Sequence, residues 1–333
     1  MSSTIRAFHL RFGSHELMEP FKEFIKKVLV PRGINYLVVE CNTSFQFESH
    51  PELADGSLTK EDAKELAELC KSNGIRLIPL FQCLGHQGWG GAPNSLLKHY
   101  PEFDETPHIP LDAKWPDFFC RSWCPQHPEV YSIVFDLLDE LIEAFDADAF
   151  HVGMDEVFAL ADDQCPRCKG KDRADLFAKA VNDLHDHLVK KRGIDMFMWG
   201  DRLIDSVASG YNNKWEADTF GTYKAIDKIP KDIKIMDWHY EKHDSFPSVG
   251  TFLQHGFTVI PACWFNTEAA TNFLNNSKQQ AVELNAEERM PGMIVTSWHH
   301  WSDEAFANFI NNTVNGEIKE LYETLDKITS MLK

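Results

Sequence analysis

Two acidic residues stand side by side in the stretch Ala149-Phe150-His151-Val152-Gly153-Met154-Asp155-Glu156-Val157-Phe158. A short apolar segment runs straight into the pair, and a polar loop follows. Adjacent carboxyls in a fixed environment suit cleavage of a glycosidic bond. One carboxylic acid must protonate the leaving oxygen, while a second group offsets positive charge at the anomeric carbon. Acidic pairs also gather at helix N-termini, where they cap backbone N–H groups. Placement at the end of a buried strand, behind His151 and Gly153, favours the catalytic reading of Asp155 and Glu156.

The elements that must hold this pair follow from hydrophobic periodicity. Strand and helix patterns alternate about eight times, the number that a closed parallel (β/α)8 TIM barrel requires. Strands are predicted at 5–12, 34–41, 75–82, 149–153, 195–199, 233–238, 257–265 and 293–298. Helices are predicted at 16–30, 60–72, 129–145, 174–191 and 268–287, with a last one from about residue 304. Gly33 should stop the first helix, and Thr59 with Asp62 makes a capping box for the second, which Gly74 ends. Residues 87–128 form a long loop rich in Gly, Pro and Trp, and loops of that length are usually functional. The segment 204–231 carries no clear period and is expected to be loop and short helix. No repeat or linker divides the chain, so residues 1–333 are expected to form one catalytic α/β barrel domain.

The 333 residues are 43% hydrophobic and 12% aromatic, enough for one large core. A net charge of −18 argues against nucleic acid and anionic membrane as partners, and leaves a small neutral carbohydrate open. With no leader-like N-terminal pattern and no apolar run of membrane-spanning length, a cytoplasmic location is expected. No Gly-rich phosphate loop is present, so nucleotide chemistry is disfavoured and no cofactor is expected. The 8 cysteines do not resemble a secreted disulfide framework. Cys120, Cys124, Cys165 and Cys168 could make a structural tetrathiolate zinc site bracing two loops, or be plain buried thiols.

Active sites of such barrels lie at the C-terminal ends of the strands. The residues falling there are His86, Asp155 and Glu156, Trp199 and Asp201, Trp238 to Tyr240, Trp264, and Trp298 to His300. Four tryptophans at the ends of four late strands are hard to ascribe to packing alone. Aromatic walls of this kind stack on sugar faces and enclose small groups such as an acetamide methyl.

The run from His151 to Val157 resembles the signature of glycoside hydrolase family 20, the β-N-acetylhexosaminidases. The similarity extends along nearly the whole chain. Pro79 to His86, Trp199-Gly200-Asp201, Trp238-His239-Tyr240 and Met293 to Trp298 resemble other strand ends of the family. The spacing is nearest to the single-barrel hexosaminidase D branch. The resemblance implies an exo-acting, retaining enzyme without a protein nucleophile. The substrate's own acetamide oxygen would attack the anomeric carbon and form an oxazolinium ion. Glu156 would be the general acid and then the base, and Asp155 would orient the acetamide. Arg6 would hold hydroxyls of the terminal sugar, with His86, His151, Trp199, Asp201, Trp238, Tyr240, Trp264 and Trp298 completing the substrate site.

Several positions depart from the wider family. Arg11 stands where an Asp is usual, Gln82 replaces an Asp, His300 replaces a hydroxyl-binding Glu, and Phe265 replaces an acetamide-binding tyrosine. Tyr240 could supply that missing hydroxyl. Two other functions stay open at this point: a catalytically silent carbohydrate-binding barrel, and a glycosidase for another 2-acetamido sugar conjugate. The intact acidic pair speaks against the silent barrel.

Overall fold

A computed structural model describes residues 4–333. Its centre is a closed barrel of eight parallel strands. These are Ile5–Arg11 (β1), Tyr36–Glu40 (β2), Arg76–Cys83 (β3), Ala149–Gly153 (β4), Asp195–Trp199 (β5), Lys234–Trp238 (β6), Thr258–Cys263 (β7) and Gly292–Ser297 (β8). The barrel closes where β1 pairs with β8, from Ile5 opposite Gly292 to Leu10 opposite Ser297. Alternate residues of each strand point inward, and the interior is packed by Ile5, Ala7, Val38, Ile78, Leu80, Ala149, Phe197, Met236, Ile260 and Ile294. The barrel is therefore a filled core, and only the end towards which the strands run is free to build a site.

The principal helices are Met18–Phe24 (α1), Lys60–Ser72 (α2), Val130–Ala144 (α3), Arg173–His185 (α4), Pro247–Gln254 (α5), Thr267–Glu283 (α6), Asp303–Asn311 (α7) and Gly316–Met331 (α8). The Thr59–Asp62 capping box is present, with both reciprocal bonds made. Gly33 stops the first helical segment at φ 70°. That segment is shorter in α-form than its periodicity predicts, since a wide π-type turn covers Ile25–Leu29 and a tight turn covers Val30–Arg32. Pro31 has no N–H for the carbonyl four residues back, so the regular ladder cannot continue there. The last predicted helix is in fact two, divided where Asn312 turns left-handed at φ 53°. Helix α5 was not evident from the pattern; Pro247 opens it.

The long loop between β3 and α3 is held from within by one cation. Arg121 is 1% exposed. It donates to the carbonyls of Gly91 (2.7 Å), Thr106 (2.9 Å) and Ile109 (2.6 Å), and pairs with Asp104. A guanidinium offers five donors in a fixed fork, which a loop with few backbone ladders needs. Removing it leaves three loop carbonyls without their donor and the half-buried Asp104 without its cation. Because the barrel interior is a cluster to which this loop does not contribute, the loss should appear as local opening. Arg121→Met is expected to keep the barrel's circular dichroism while limited proteolysis cuts within 87–128; resistance equal to the parent would contradict this role for Arg121.

Candidate active site

The C-terminal end of the barrel opens into a cavity of about 430 Å³, the size of a small-ligand pocket. Asp155 and Glu156 both reach its wall from the loop after β4. Their positions depend on a backbone that few residues adopt. Gly153, Met154 and Glu156 all have positive φ, at 66°, 74° and 50°. A side chain on Gly153 would displace the Gln82 amide and come 3.1 Å from the Gln82 Cα, which together with the positive φ favours glycine there. On the neighbouring β3 loop, Leu84 and His86 also sit at positive φ, 64° and 56°. One extra residue in β3, between Leu80 and Cys83, shifts the pairing with β4. Such a bulge re-aims the side chains beyond it, here those leading to His86.

His86 Nε2 stands 3.2 Å from Asp155 Oδ2 and 3.4 Å from Glu156 Oε2. Burial works against a charged imidazole, but the Asp155 carboxylate, with Glu156 beside it, raises His86 well above its ordinary value. Asp155 moves the other way: burial would lift it, and the His86 charge outweighs that and lowers it. Asp155 Oδ1 is buried and accepts no hydrogen bond from the protein. Glu156 is held by its own main chain, whose N–H donates to Asp201 Oδ2 at 2.9 Å.

Aromatic rings build the rest of the wall. Trp199, Trp238, Tyr240 and Trp298 line it, with Trp89 and Trp215 at the rim. Trp238 stacks on Tyr240 with centroids 5.2 Å apart, and Trp298 Nε1 donates to the Tyr240 hydroxyl at 2.9 Å. On the opposite side Arg11, Glu40, Asn42 and Gln82 supply polar groups. Arg11 is steadied by the Trp298 carbonyl at 2.9 Å, and Glu40 by Asn42 at 2.9 Å with His9 3.3 Å away.

Of the predicted site residues, the structure gathers His86, Asp155, Glu156, Trp199, Trp238, Tyr240 and Trp298 around one cavity. Four others stand elsewhere. Arg6 has the outward parity of β1 and lies near its start, where Nε donates to Gly33 O (2.7 Å) and Nη1 to Leu332 O (3.1 Å). It is therefore at the wrong end of the barrel to meet a ligand, and Arg11 is the arginine of β1 that lines the cavity. His151 is buried below the floor, its ring 4.5 Å from that of Trp199. Trp264 packs edge-on against Tyr240 at 5.6 Å, outside the wall. Asp201 lies behind Glu156 as a support. His300 is exposed and is not part of the lining, so the carboxylate on the polar side comes from Glu40. Inward parity at the end of β2 was the signal for Glu40; nothing in the aperiodic segment marked Trp215.

The ion pair has a pH window. His86, raised, contributes stability fully below its ordinary 6.5 and loses it as pH climbs through the raised value. Asp155, lowered, contributes fully above its ordinary 3.8 and loses it as pH falls through the lowered value. The Tm gap between the parent protein and His86→Gln should thus be widest between pH 3.8 and 6.5 and narrow on both sides. A gap independent of pH, measured by calorimetry, would show that the pair is not ionised.

The chain matches the model of the glycosyl hydrolase family 20 catalytic domain over residues 37–303. It is 28% identical over 181 residues to hexosaminidase D of Bos taurus, a match covering 52% of this chain and 48% of that protein. A β-hexosaminidase of Akkermansia muciniphila is 30% identical over 116 residues, covering 34% of this chain and 22% of the relative. The chain thus spans less than half the length of these relatives. In fold it is similar to the chitobiase of Flavobacterium johnsoniae, with TM-score 0.70 and 18% identity over 99% of this chain and 51% of that one. A β-N-acetylhexosaminidase of Bacteroides fragilis gives TM-score 0.66 at 19% identity, over 97% and 66% of the two chains. The family match covers most of the barrel, including every strand end that builds the cavity except that of β1, and the chain belongs to glycosyl hydrolase family 20.

Proposed function

We propose that this protein is an exo-acting, retaining β-N-acetylhexosaminidase that removes terminal β-linked N-acetylglucosamine or N-acetylgalactosamine by substrate-assisted catalysis. The observation that carries this reading is the free, buried Oδ1 of Asp155 on the wall of an aromatic pocket, next to Glu156. An acetamide N–H would satisfy that oxygen, and the rings of Trp199, Trp238 and Trp298 suit its methyl group and the sugar faces. The packed barrel beneath closes the floor of the cavity, which suits a chain end.

In the first step the acetamide oxygen attacks C1 and the bond to the leaving oxygen breaks. Glu156 gives its proton to that oxygen, and Asp155 holds the N–H while offsetting charge on the oxazolinium ring. In the second step Glu156 takes a proton from water, which attacks C1 and reopens the ring. Two inversions retain the configuration. His86 keeps Asp155 ionised by its own positive charge. In this reading Tyr240 meets the acetamide oxygen, and Arg11 with Glu40 meets the outer hydroxyls, since all three line the cavity. None of the eight cysteines is joined in a disulfide, which suits a cytoplasmic location.

Chromogenic β-glycosides test the reading. The protein should hydrolyse at least one of the two 2-acetamido substrates and leave the 2-hydroxy glucoside nearly untouched. Glu156→Gln should lose ~10²–10⁴-fold on poor leaving groups and much less on activated ones. Asp155→Asn should cost ~10²–10³-fold, chiefly in kcat, since the group acts on the transition state. Thiazoline sugars should inhibit. A stable adduct on Asp155 after treatment with a 2-fluoro glycoside would overturn the substrate-assisted mechanism, and binding without turnover of any substrate would indicate a silent barrel.

A further inference from the structure

A second set of buried, chemistry-bearing side chains lies apart from the glycosidase cavity. Cys124 Sγ is 3.3 Å from Cys168 Sγ and 3.6 Å from Cys165 Sγ. Glu105 completes the group, with one ligand atom from each of the four residues within 4.8 Å of the others. All four are at most 1% exposed. Glu105 Oε1 accepts the Asp162 N–H at 3.1 Å, whereas Oε2 is buried with no neighbour to pair with except the Cys165 and Cys168 sulfurs. A buried carboxylate oxygen beside three sulfurs is unfavourable unless a cation or proton meets it.

The geometry suits one particular class of cation. Thiolates bound to a tetrahedral zinc ion at ~2.3 Å stand ~3.8 Å from one another, close to the separations seen. Cys165 and Cys168 come from a Cys-x-x-Cys turn in which Cys165 N–H donates to Asp162 O and Lys169 N–H to Cys165 O. Backbone N–H groups also face the sulfurs, Gln126 towards Cys124, and Arg167 and Cys168 towards Cys165. Such donors stabilise thiolates and orient metal ligands. Soft sulfur donors exclude magnesium and calcium. Four protein ligands leave no open position, so the site would brace the fold and not take part in hydrolysis.

We propose that Glu105, Cys124, Cys165 and Cys168 form a structural zinc site that ties the long loop after β3 to the loop carrying Asp155 and Glu156. The ligand set differs from the four-cysteine set predicted from spacing. Cys120 stands instead under the catalytic loop, its sulfur 3.8 Å from Glu156 O, and Glu105 takes its place. The clamp closes the far end of a loop whose near end carries the acidic pair, with Met154 and Glu156 in left-handed backbone.

Metal analysis of protein purified without chelators or affinity metal should find about one zinc per chain. Stripped, reduced protein reloaded with cobalt(II) should show thiolate-to-cobalt charge transfer and intense tetrahedral d–d bands. Cys120→Ser should retain the full metal content, Cys165→Ser with Cys168→Ser should lose it, and Glu105→Gln should release the ion faster to a chelator. Wild-type protein with neither bound zinc nor a cobalt–thiolate spectrum would overturn the site, whether or not any variant folds. So would a metal content that Cys120→Ser abolishes and Glu105→Gln leaves unchanged.

Discussion

The buried carboxylate of Asp201 joins three parts of the molecule, and the geometry of the acidic pair depends on it. It accepts the Glu156 N–H at 2.9 Å, the Trp238 indole N–H at 3.3 Å and Arg202 Nε at 2.6 Å. Arg202 in turn donates to the carbonyls of Lys214, Trp215 and Ala217, which places the Trp215 ring at the cavity rim. Burial pushes Asp201 up to about 6, against the pull of Arg202 and with Asp155 adding to the rise. Arg202 is wholly buried and also faces the buried Asp218 at 3.6 Å, so loss of Arg202 leaves two interior carboxylates without their cation, at ~3–5 kcal/mol. One carboxylate therefore links the general-acid candidate, an aromatic wall and the loop opposite.

A second ionic cluster fastens the same loop from its other side. Glu216, next to Trp215, lies 2.5 Å from His239 Nδ1 and 2.8 Å from His243 Nε2. Burial opposes charge on His239, yet Asp237 and Glu216 raise it to about 9. Burial likewise opposes charge on Glu216, and His239 and His243 hold it below the usual range. These groups satisfy one another, which explains four acid and imidazole side chains meeting near the pocket without lining it. The segment 204–231 gains from such contacts the order that regular secondary structure does not provide.

Strain at the strand ends has the same dependence on surroundings. Left-handed backbone at residues such as Met154 and Glu156 costs ~1–3 kcal/mol each and persists only where neighbours enforce it. The enforcing contacts here are the Asp201 bond to Glu156 N–H, the close fit of Gly153 on Gln82, and Cys120 beneath the Glu156 carbonyl. Local stability thus goes into holding two carboxylates at one wall, with a positive imidazole between them.

The barrel, and the seven predicted side chains that line its cavity, were legible because they depend on local rules. Period-2 alternation places a residue inside or outside a strand, and a strand's end is marked by where the apolar run stops. The Thr59 capping box and the Gly33 stop were legible for the same reason. Residues whose place depends on contacts distant in sequence were not. Arg6 and Arg11 differ in strand parity, which the spacing already shows, but the tie of Arg6 to the Gly33 and Leu332 carbonyls appears only in the fold. Trp264 and Trp215 exchanged roles because a ring's exposure depends on which neighbour covers it, and Trp215 owes its place to an arginine thirteen residues earlier. The cysteine spacing announced a cluster, but the exchange of Cys120 for Glu105 required the folded loops. Sequence by itself determined which residues share a strand end; tertiary structure decided which of them face the same space, because that depends on packing between loops that local periodicity does not encode.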